Sequence, residues 1–239
     1  MRKLLIAAVV LVMTGFANSS LAVERCEGED KMKWVDCLGF LNYEGGDFYF
    51  GRVTRGKSEG FGTYYFNDGT YYVGSFKNDE FHGVGTMTLK NGAQYSGEWN
   101  NSERDGKGVY VDQDGNQFVG TFRNNNPEGF GQHIFADGTK YEGDFFRGMR
   151  SGQGKFTYPD GSYYVGQWIA GERGGYGVYT DVAGHILEAQ WRGDVPHGQA
   201  TYIDPAGNKF DGYFNNGDPV GIEFTAIVNG GSVTNQSTI

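Results

Sequence analysis

Short stretches of the chain alternate bulky apolar or glycine residues with polar ones, and the alternation returns at a fixed interval. Tyr72, Gly74 and Phe76 alternate in one stretch, and Gly83 and Gly85 begin the next. Because successive side chains of a strand point to opposite faces, each set lies on one face of a β-strand. Glycine is usually a poor strand residue, so its recurrence here indicates that the fold requires it.

Three kinds of mark repeat along the chain with one period of 23 residues. The first is a glycine at Gly51, Gly74, Gly97, Gly120, Gly143, Gly166 and Gly212, with Ala189 in the remaining position. The second is Gly-x-Gly, at Gly60/Gly62, Gly83/Gly85, Gly106/Gly108, Gly129/Gly131, Gly152/Gly154 and Gly175/Gly177. The third is Asp-Gly or Asn-Gly, at Asp68-Gly69, Asn91-Gly92, Asp114-Gly115, Asp137-Gly138 and Asp160-Gly161. Marks that keep one register over this length predict a stacked repeat fold that fills nearly the whole chain.

The Asp-Gly segments predict the connection inside each repeat. Segments such as 66–69 and 158–161 are typical of a three-residue hairpin loop, a type I turn followed by a left-handed residue. The register across this loop is then Tyr72 with Tyr64, Gly74 with Gly62, and Phe76 with Gly60; across the longer loop it is Phe76 with Gly83 and Gly74 with Gly85. Large rings therefore lie beside glycines, where a ring restores the packing that glycine lacks. The predicted fold is all-β, an elongated single-sheet antiparallel meander of stacked 23-residue hairpins.

The N-terminus has the layout of a secretory signal peptide. Arg2 and Lys3 precede an apolar run from Leu4 to Met13, and small or polar residues follow. The run is too short for a membrane span, which needs about 20 apolar residues. We expect residues 1–22 to be removed after Ala22, with Ala17 as the alternative, and the protein to be periplasmic or extracellular in a bacterium.

Two cysteines, Cys26 and Cys37, lie just inside the mature N-terminus. An exported chain enters an oxidising compartment, where a disulfide persists. Two thiolates without nearby histidines make half a metal site, and the spacing is not that of a redox C-x-x-C motif. We therefore expect a structural disulfide.

The charge of the chain excludes two classes of partner. The sequence has 20 Lys and Arg against 29 Asp and Glu, a net charge of −9, and no basic block. Nucleic acids and anionic membrane surfaces attract basic patches, so we expect neither as a partner. The acidity is the kind that keeps an exported protein soluble.

These repeats resemble the MORN repeat, whose pattern is Tyr-x-Gly-x-aromatic, a loop ending near His-Gly, then Gly-x-Gly and Asp-Gly. The copies are YVGSF (72–76), YSGEW (95–99), FVGTF (118–122), YEGDF (141–145) and YVGQW (164–168). The resemblance covers residues 37–221, and the lead-in around Cys26 and Cys37 is similar to that of small exported bacterial members. It implies scaffolding, protein contact or membrane proximity, and no enzyme activity.

The N-terminal layout and the resemblance together predict four parts along the chain. We expect residues 1–22 to be the signal peptide and residues 23–48 to form a cap and half-repeat that the disulfide closes. Residues 49–221 form the array, and residues 222–239 contain a closing strand and a flexible tail. Ala183, Leu187, Ala189 and Ala200 depart from the pattern in the late copies.

One column of polar residues, Glu59, His82, Asp105 and Glu128, could be taken for metal ligands. Neighbouring members are two strands apart, about 9.5 Å, and a single ion needs every ligand within about 2.6 Å. We therefore expect no metal and no cofactor.

The aromatic face is the strongest candidate for binding. Its candidate residues are Tyr95, Trp99, Phe118, Phe122, Tyr141, Phe145, Tyr164 and Trp168. The rings are either the core of a thin protein or a trough that holds a peptide or a glycan. The expected function is a non-enzymatic exported scaffold for a protein or a polymer such as a polysaccharide. The alternatives are a carbohydrate-binding or cell-wall-associated module that uses this face, and a peripheral membrane module. The oligomeric state stays open.

Overall fold

The protein is one long antiparallel meander followed by a small hairpin. The computed structural model describes residues 24–220 and two further strands at 224–228 and 231–235. The signal peptide predicted for residues 1–22 lies outside the described residues. The strands are β1 (Cys37–Asn42), β2 (Phe48–Thr54), β3 (Lys57–Tyr65), β4 (Tyr71–Lys77), β5 (Glu80–Thr88), β6 (Gln94–Asn100), β7 (Glu103–Val111), β8 (Gln117–Arg123), β9 (Asn126–Ile134), β10 (Lys140–Phe146), β11 (Met149–Thr157), β12 (Tyr163–Ile169), β13 (Glu172–Thr180), β14 (Ile186–Arg192), β15 (Val195–Ile203), β16 (Lys209–Asn215), β17 (Asp218–Val220), β18 (Phe224–Val228) and β19 (Gly231–Asn235).

Strands β1 to β17 form a single 17-stranded sheet in which each strand pairs with the next along the chain. The all-β repeat fold predicted from the 23-residue period is therefore confirmed. The register across the Asp-Gly loop is confirmed as well, because Tyr72 pairs with Tyr64, Gly74 with Gly62 and Phe76 with Gly60.

The Asp-Gly loops have the predicted turn chemistry. In the loop after β3, the Gly69 N–H donates to the Phe66 carbonyl and Gly69 has φ +98°, as a type I turn with a left-handed glycine requires. The Thr70 N–H donates to the Asp68 carboxylate at 2.7 Å, which holds the pKa of that carboxyl below its usual value. The recurrent aspartate is therefore a turn residue.

The second connection is shorter than the sequence indicated, and one predicted pair is wrong. Phe76 pairs with Phe81 and not with Gly83, although Gly74 does pair with Gly85. The strands continue to a two-residue turn at Asn78-Asp79, where both residues have positive φ, the geometry of a type I′ turn. A bulge around Gly83, φ +65°, takes up the extra residues of β5.

These type I′ turns recur through the array and bind to one another. They lie at Arg55-Gly56, Asn78-Asp79, Asn101-Ser102, Asn124-Asn125, Arg147-Gly148, Ala170-Gly171, Gly193-Asp194 and Asn216-Gly217. From Asp79 onward, the N–H of the second turn residue donates to the carbonyl 21 residues earlier, at 2.9–3.3 Å. Each hairpin tip is thereby tied to the preceding hairpin along one side of the sheet.

In several copies, a side chain of the type I′ turn also bonds to the preceding hairpin. Where the earlier strand has a free N–H, the second turn residue often supplies an acceptor: Asp79 accepts from Ser58 at 2.7 Å, and Asn125 from Arg104 at 2.9 Å. Opposite Pro127, which has no N–H, the turn residue is Gly148. Opposite Arg150, which has an N–H, the turn residue is also a glycine, Gly171, so this side-chain bond is present in some copies and not in others.

The N-terminal segment covers the outer edge of β1. Cys26 and Cys37 form a disulfide, and Arg25 pairs with Leu38 in a parallel bridge. The Trp34 ring and the Cys26 sulfur lie over Gly39, where they take the place of a side chain. An edge covered in this way offers fewer free backbone groups to another strand.

The C-terminal part contains a separate hairpin. β17 pairs with β16 in the large sheet, whereas β18 pairs with β19 in a two-stranded sheet. The closing strand expected within residues 222–239 thus has β19 as its partner, and the predicted tail contains β19. Residues 221–223, 229–230 and 236–239 lie outside the described residues.

Candidate functional site

The eight aromatic residues selected from the sequence lie together, but in the interior. Their side chains are 0–6% exposed: Tyr95, Trp99, Phe118, Phe122, Tyr141, Phe145, Tyr164 and Trp168. With Tyr49, Tyr72, Phe76 and Trp191 they form one continuous column of rings, named here the ring column. Successive rings meet edge to face, with centroids 4.8–5.5 Å apart and interplanar angles of 72–90°. The ring column is the core of the array, and its faces are not open to a ligand.

The ring column contains two kinds of ring, which pack in different ways. The ring of the Tyr-x-Gly motif leans along its own strand and lies over paired glycines, as Tyr141 does over Gly143 and Gly154. Its hydroxyl donates to the backbone carbonyl three residues on, so that Tyr141 bonds Asp144 at 3.0 Å. The next aromatic residue, Phe145, then packs edge-on against it at 5.1 Å. The ring that covers glycine is therefore the first aromatic residue of the motif, a tyrosine in most copies and Phe118 in one, and not the second aromatic residue.

Burial changes the acidity of these tyrosines. Desolvation raises the pKa of Tyr95 and of Tyr164 to about 12, and raises the pKa of Tyr72 and Tyr141 further. At neutral pH the ring column is uncharged.

A second layer lies above the ring column and is half-buried. It includes one side chain from each Gly-x-Gly strand, named here the covering row: Tyr64, Met87, Tyr110, His133, Phe156, Tyr179 and Tyr202. The pairing of Tyr95 with Tyr110 puts this row on the ring side of the sheet. Desolvation lowers the pKa of His133, which stacks on Phe135 with centroids 4.1 Å apart. The covering row is the part of the ring side that a partner can reach.

Three arginines stand beside the covering row at one position of the repeat. Arg104, Arg150 and Arg173 each pair across a hairpin with a ring of the column, as Trp99 does with Arg104. The Arg150 guanidinium lies 4.3 Å from the Trp168 ring centroid, and that of Arg173 lies 4.3 Å from Trp191. Each guanidinium donates to a turn carbonyl 21 residues later. These three residues are named here the arginine row.

Two open depressions extend the ring side toward the C-terminus. One, of about 490 Å³, is lined by Tyr158, Pro159, Arg173 and Tyr179 among others. The other, of about 480 Å³, also touches Tyr179 and is mostly apolar. It opens beside Leu187, Tyr202 and Phe210, in the copies where the repeat pattern changes. Together with the covering row and the arginine row, the two depressions form what is named here the groove.

The apolar depression has a local cause. Leu187 stands in the tyrosine position of its copy, and Ala189 pairs with Ala200 where the earlier copies pair two glycines. Ala189 and Ala200 are both buried, so methyl groups stand where the earlier copies leave room for a tyrosine ring. In the last copy, Gly212 has no atom within 4 Å of where a side chain would begin. The ring column therefore ends at Trp191, and the space beyond it stays open.

Comparison with known protein families identifies the repeats. Seven consecutive segments match the MORN repeat, at residues 49–71, 72–94, 95–117, 118–140, 141–163, 164–186 and 188–209. The chain belongs to the MORN repeat family. Six of the seven matches begin at the tyrosine or phenylalanine of the ring column. The ring column is therefore the structural signature of this MORN array.

Other comparisons add little about its role. No curated protein sequence gives a significant match. Among solved structures, the chain is similar to the TCP domain of Drosophila melanogaster SAS-4 in complex with a proline-rich motif of Ana2, with 14% identity, a TM-score of 0.41 and coverage of 64% of this chain and 83% of that one. It is also similar to the Danio rerio CPAP TCP10 domain in complex with a STIL peptide, with 11% identity, a TM-score of 0.44 and coverage of 80% and 96%. Likenesses this remote indicate nothing about what the MORN array binds.

Two members of the polar column that could have been taken for metal ligands, Glu59 and Glu128, cap turns. Glu59 and Glu128 each accept a hydrogen bond at 3.0 Å from the first N–H of the next type I′ turn, at Asn78 and Arg147. His197 faces the Asn216 N–H in the same way at 3.4 Å. Within the described residues, no group of three or more His, Cys, Asp or Glu could hold a metal ion. The described part of the chain also has no helix long and apolar enough to cross a membrane.

Sequence reasoning missed the arginine row. Arg104, Arg150 and Arg173 lie 46 and 23 residues apart, which is two periods and one period of the repeat. Phe81 and Pro127 occupy the same position in other copies, so the column does not stand out as a motif. Alignment of the copies on their glycines would have revealed it.

Proposed function

We propose that this MORN array is an exported, non-enzymatic scaffold that holds an extended segment of a partner protein in the groove. The observation that carries the proposal is the layered ring side: a rigid, buried ring column with a half-exposed row of aromatic and arginine side chains above it. Aromatic residues and arginine are the types enriched at the centres of protein interfaces. Export is supported by the charged, apolar and small-residue regions of residues 1–22.

The repeat architecture supports this proposal in a second way. Each repeat adds the same small surface, so a long array presents a continuous binding face to an extended partner. The interlocked edge-to-face rings keep that face rigid, which lowers the entropy lost on binding.

The structure removes the ring surface on which the carbohydrate-binding alternative depended. It depended on open faces of rings such as Trp99 and Trp168, and these are buried in the core. Substitution of either tryptophan would damage the fold and could not report on binding. A glycan would have to contact the covering row, as a protein would, and the same experiment distinguishes the two.

The test uses two positions on one strand that face opposite ways. Tyr179 belongs to the covering row, and Tyr176 lies on the other face of β13, where it is 50% exposed. A photo-crosslinking phenylalanine analogue is placed at one or the other position, and the exporting cells are irradiated. We expect discrete protein adducts from position 179 and few from position 176. Adducts from position 176 alone, polysaccharide adducts, or no adducts at position 179 would contradict the proposal.

A further inference from the structure

The arginine row is unusual for its surroundings. The chain has a net charge of −9, yet three guanidinium groups are half-buried at one position of the repeat on the ring side. Within the described part of the chain, neither Arg104 nor Arg150 has a carboxylate at ion-pair distance, whereas Arg173 contacts Asp194 at 3.3 Å. In an acidic protein, half-buried cations without carboxylate partners need an explanation, because burial of an unpaired charge is unfavourable.

The contacts of these arginines hold them in place without using up their donors. Arg150 donates from Nη2 to the Gly171 carbonyl at 2.6 Å, and Arg104 donates from Nη2 to the Asn125 carbonyl at 2.8 Å. Aromatic rings support both guanidinium planes. A guanidinium has five N–H donors, so each group keeps donors for a further acceptor. Desolvation lowers the pKa of Arg150 from its ordinary value, and an incoming anion would relieve that cost.

The spacing of the row matches an extended polypeptide. Arg150 and Arg173 are one repeat apart, which is two strand spacings or about 9.5 Å. Arg104 and Arg150 are two repeats apart, about 19 Å by the same measure. An extended or polyproline-type chain advances about 3.1–3.4 Å per residue, so these distances correspond to three and six residues. In a polyproline-type conformation, side chains three residues apart point the same way.

We propose that the groove recognises an acidic extended segment whose carboxylates lie at positions 1, 7 and 10, opposite Arg104, Arg150 and Arg173. The inference rests on the proposed function and names the chemistry of its partner. Carboxylate is a group whose geometry matches the guanidinium fork, through two parallel hydrogen bonds. Arg173 already forms an ion pair with the Asp194 carboxylate, so Arg104 and Arg150 contribute more of the binding free energy.

The apolar depression sets the end of the segment. It lies beyond Arg173 in the direction of the C-terminal copies and is lined by Leu187, Tyr202 and Phe210 together with Asp181, whose carboxylate contacts His185 at 2.7 Å. These residues belong to strands β14 to β16, one to three strand spacings from Arg173. An apolar side chain about two to five residues beyond the last carboxylate would reach this depression, by the same advance per residue.

The test measures the binding of fluorescent peptides to the full exported chain by anisotropy. Peptides of equal composition carry glutamate at positions 1, 7 and 10, at the reversed positions 1, 4 and 10, or at the out-of-register positions 1, 6 and 11. The reversed peptide is included because the segment can run in either direction. We expect one of the first two to bind at least tenfold more tightly than the third, with affinity that falls as salt is raised.

Protein variants separate charge from packing. Arg150→Met keeps an apolar chain over the rings and removes the charge, and Arg150→Lys keeps the charge without the fork. Arg123 lies exposed at the end of β8, next to the buried Phe122 and on the opposite face, so Arg123→Met is the matched control. We expect about a tenfold loss of affinity for Arg150→Met, a smaller loss for Arg150→Lys, and none for Arg123→Met, with thermal melting to verify the fold.

Two results would overturn the inference. One is equal affinity for all three peptides, and the other is an equal effect of Arg150→Met and Arg123→Met. Polygalacturonate is added as a competitor, and its displacement of the peptide at a matched carboxylate concentration would also contradict a polypeptide partner. If position 179 crosslinks to a protein while no acidic peptide binds, the inference about acidity fails and the proposed function stands. If the peptides bind in register but position 179 captures nothing in the exporting cells, the groove recognises acidic segments and the proposed function as a protein scaffold fails.

Discussion

The ring of Tyr72 occupies the space that a side chain on Gly85 would need. A Cβ placed on Gly85 would overlap the hydroxyl and ring carbons of Tyr72, and one placed on Gly74 would overlap the same ring. The phenol thus serves as the shared side chain of two glycines on neighbouring strands. Its hydroxyl donates to the Ser75 carbonyl at 3.1 Å, which fixes the ring in that position. The same relationship recurs down the ring column, and it closes the core to ligands.

The hydrogen bond between hairpin tips is expected to stabilise the array. Asp79 accepts from the backbone N–H and the hydroxyl of Ser58, which is buried. Asp79→Gly keeps the positive φ of the turn but leaves the Ser58 N–H without an acceptor, so it should cost about 1–3 kcal/mol. Asp79→Asn keeps both the positive φ and an oxygen that accepts from the Ser58 N–H. It should cost less than about 0.5 kcal/mol, the usual range for a mild surface change. Urea unfolding of both variants checks this, and equal midpoints would show that the bond contributes nothing.

The disulfide between Cys26 and Cys37 is expected to do two things. It closes a short loop, with a sequence separation of 11, so its loss should cost about 2–3 kcal/mol. It also holds the N-terminal segment on the edge of β1, so its loss should expose an edge that can pair with another chain. We expect Cys26→Ser/Cys37→Ser to melt earlier and to form larger species in light scattering. A variant that melts earlier but stays the same size would limit the disulfide to the first role.

The tyrosines of the ring column predict how stability depends on alkaline pH. Burial raises the pKa of Tyr95 and Tyr164 to about 12, whereas an unfolded tyrosine titrates near 10. For a pKa raised in the folded state, the stabilisation is fully present below the unfolded pKa, and it is lost as pH rises through the folded pKa. Stability should therefore fall between about pH 10 and pH 12.

The measurement follows phenolate absorbance and circular dichroism in one titration. We expect the late part of the absorbance change to coincide with the loss of β-structure. Tyr95→Phe is a fitting comparison, because Phe118 occupies the same position in the next copy. It removes one buried ionisable group, so the loss of stability between neutral pH and about pH 12 should be smaller than in the parent protein, while the lost bond to the Glu98 carbonyl lowers stability at every pH. Ionisation of all tyrosines near pH 10 in the folded state would contradict burial of the ring column.

The repeat fold could be predicted from the sequence because one hairpin has to satisfy two constraints at once. Asp68-Gly69 fixes a three-residue loop, and the alternation around Tyr72 fixes which side chains share a face. Together they leave a single register, which the structure has. The period then carries that register to every copy.

The second connection could not be predicted in the same way. Its two-residue turns vary from Asn78-Asp79 to Ala170-Gly171, so no single motif marks them. Gly83 is also in phase with Gly85, which suggested an ordinary strand, while its positive φ places it at a bulge. The direction in which Tyr72 leans depends on its side-chain rotamer, which the pattern of residues does not specify.

The candidate site was predicted in part. The ring residues were found because they recur in every copy, but the sequence could not show that they cover one another. The surface that remains accessible depends on Arg104, Arg150 and Arg173, whose position is filled by other residue types in neighbouring copies. Only the packing shows that these arginines lie over the rings.

The relationship between Tyr72 and Gly85 is most directly tested by a double-mutant cycle read by urea unfolding. Gly85→Ala should cost about 1–3 kcal/mol through overpacking. Tyr72→Leu should cost about 2–4 kcal/mol through the cavity that it leaves. The double variant should cost at least about 1 kcal/mol less than the sum, because it reproduces the leucine and alanine combination at Leu187 and Ala200.

Gly212→Ala is the control, since Gly212 has no atom within 4 Å of the new methyl group, and it should change stability by less than about 0.5 kcal/mol. Coupling in the cycle together with a neutral Gly212→Ala is the predicted result. Additive costs, or equal costs for Gly85→Ala and Gly212→Ala, would contradict the claim that tyrosine rings replace the missing glycine side chains.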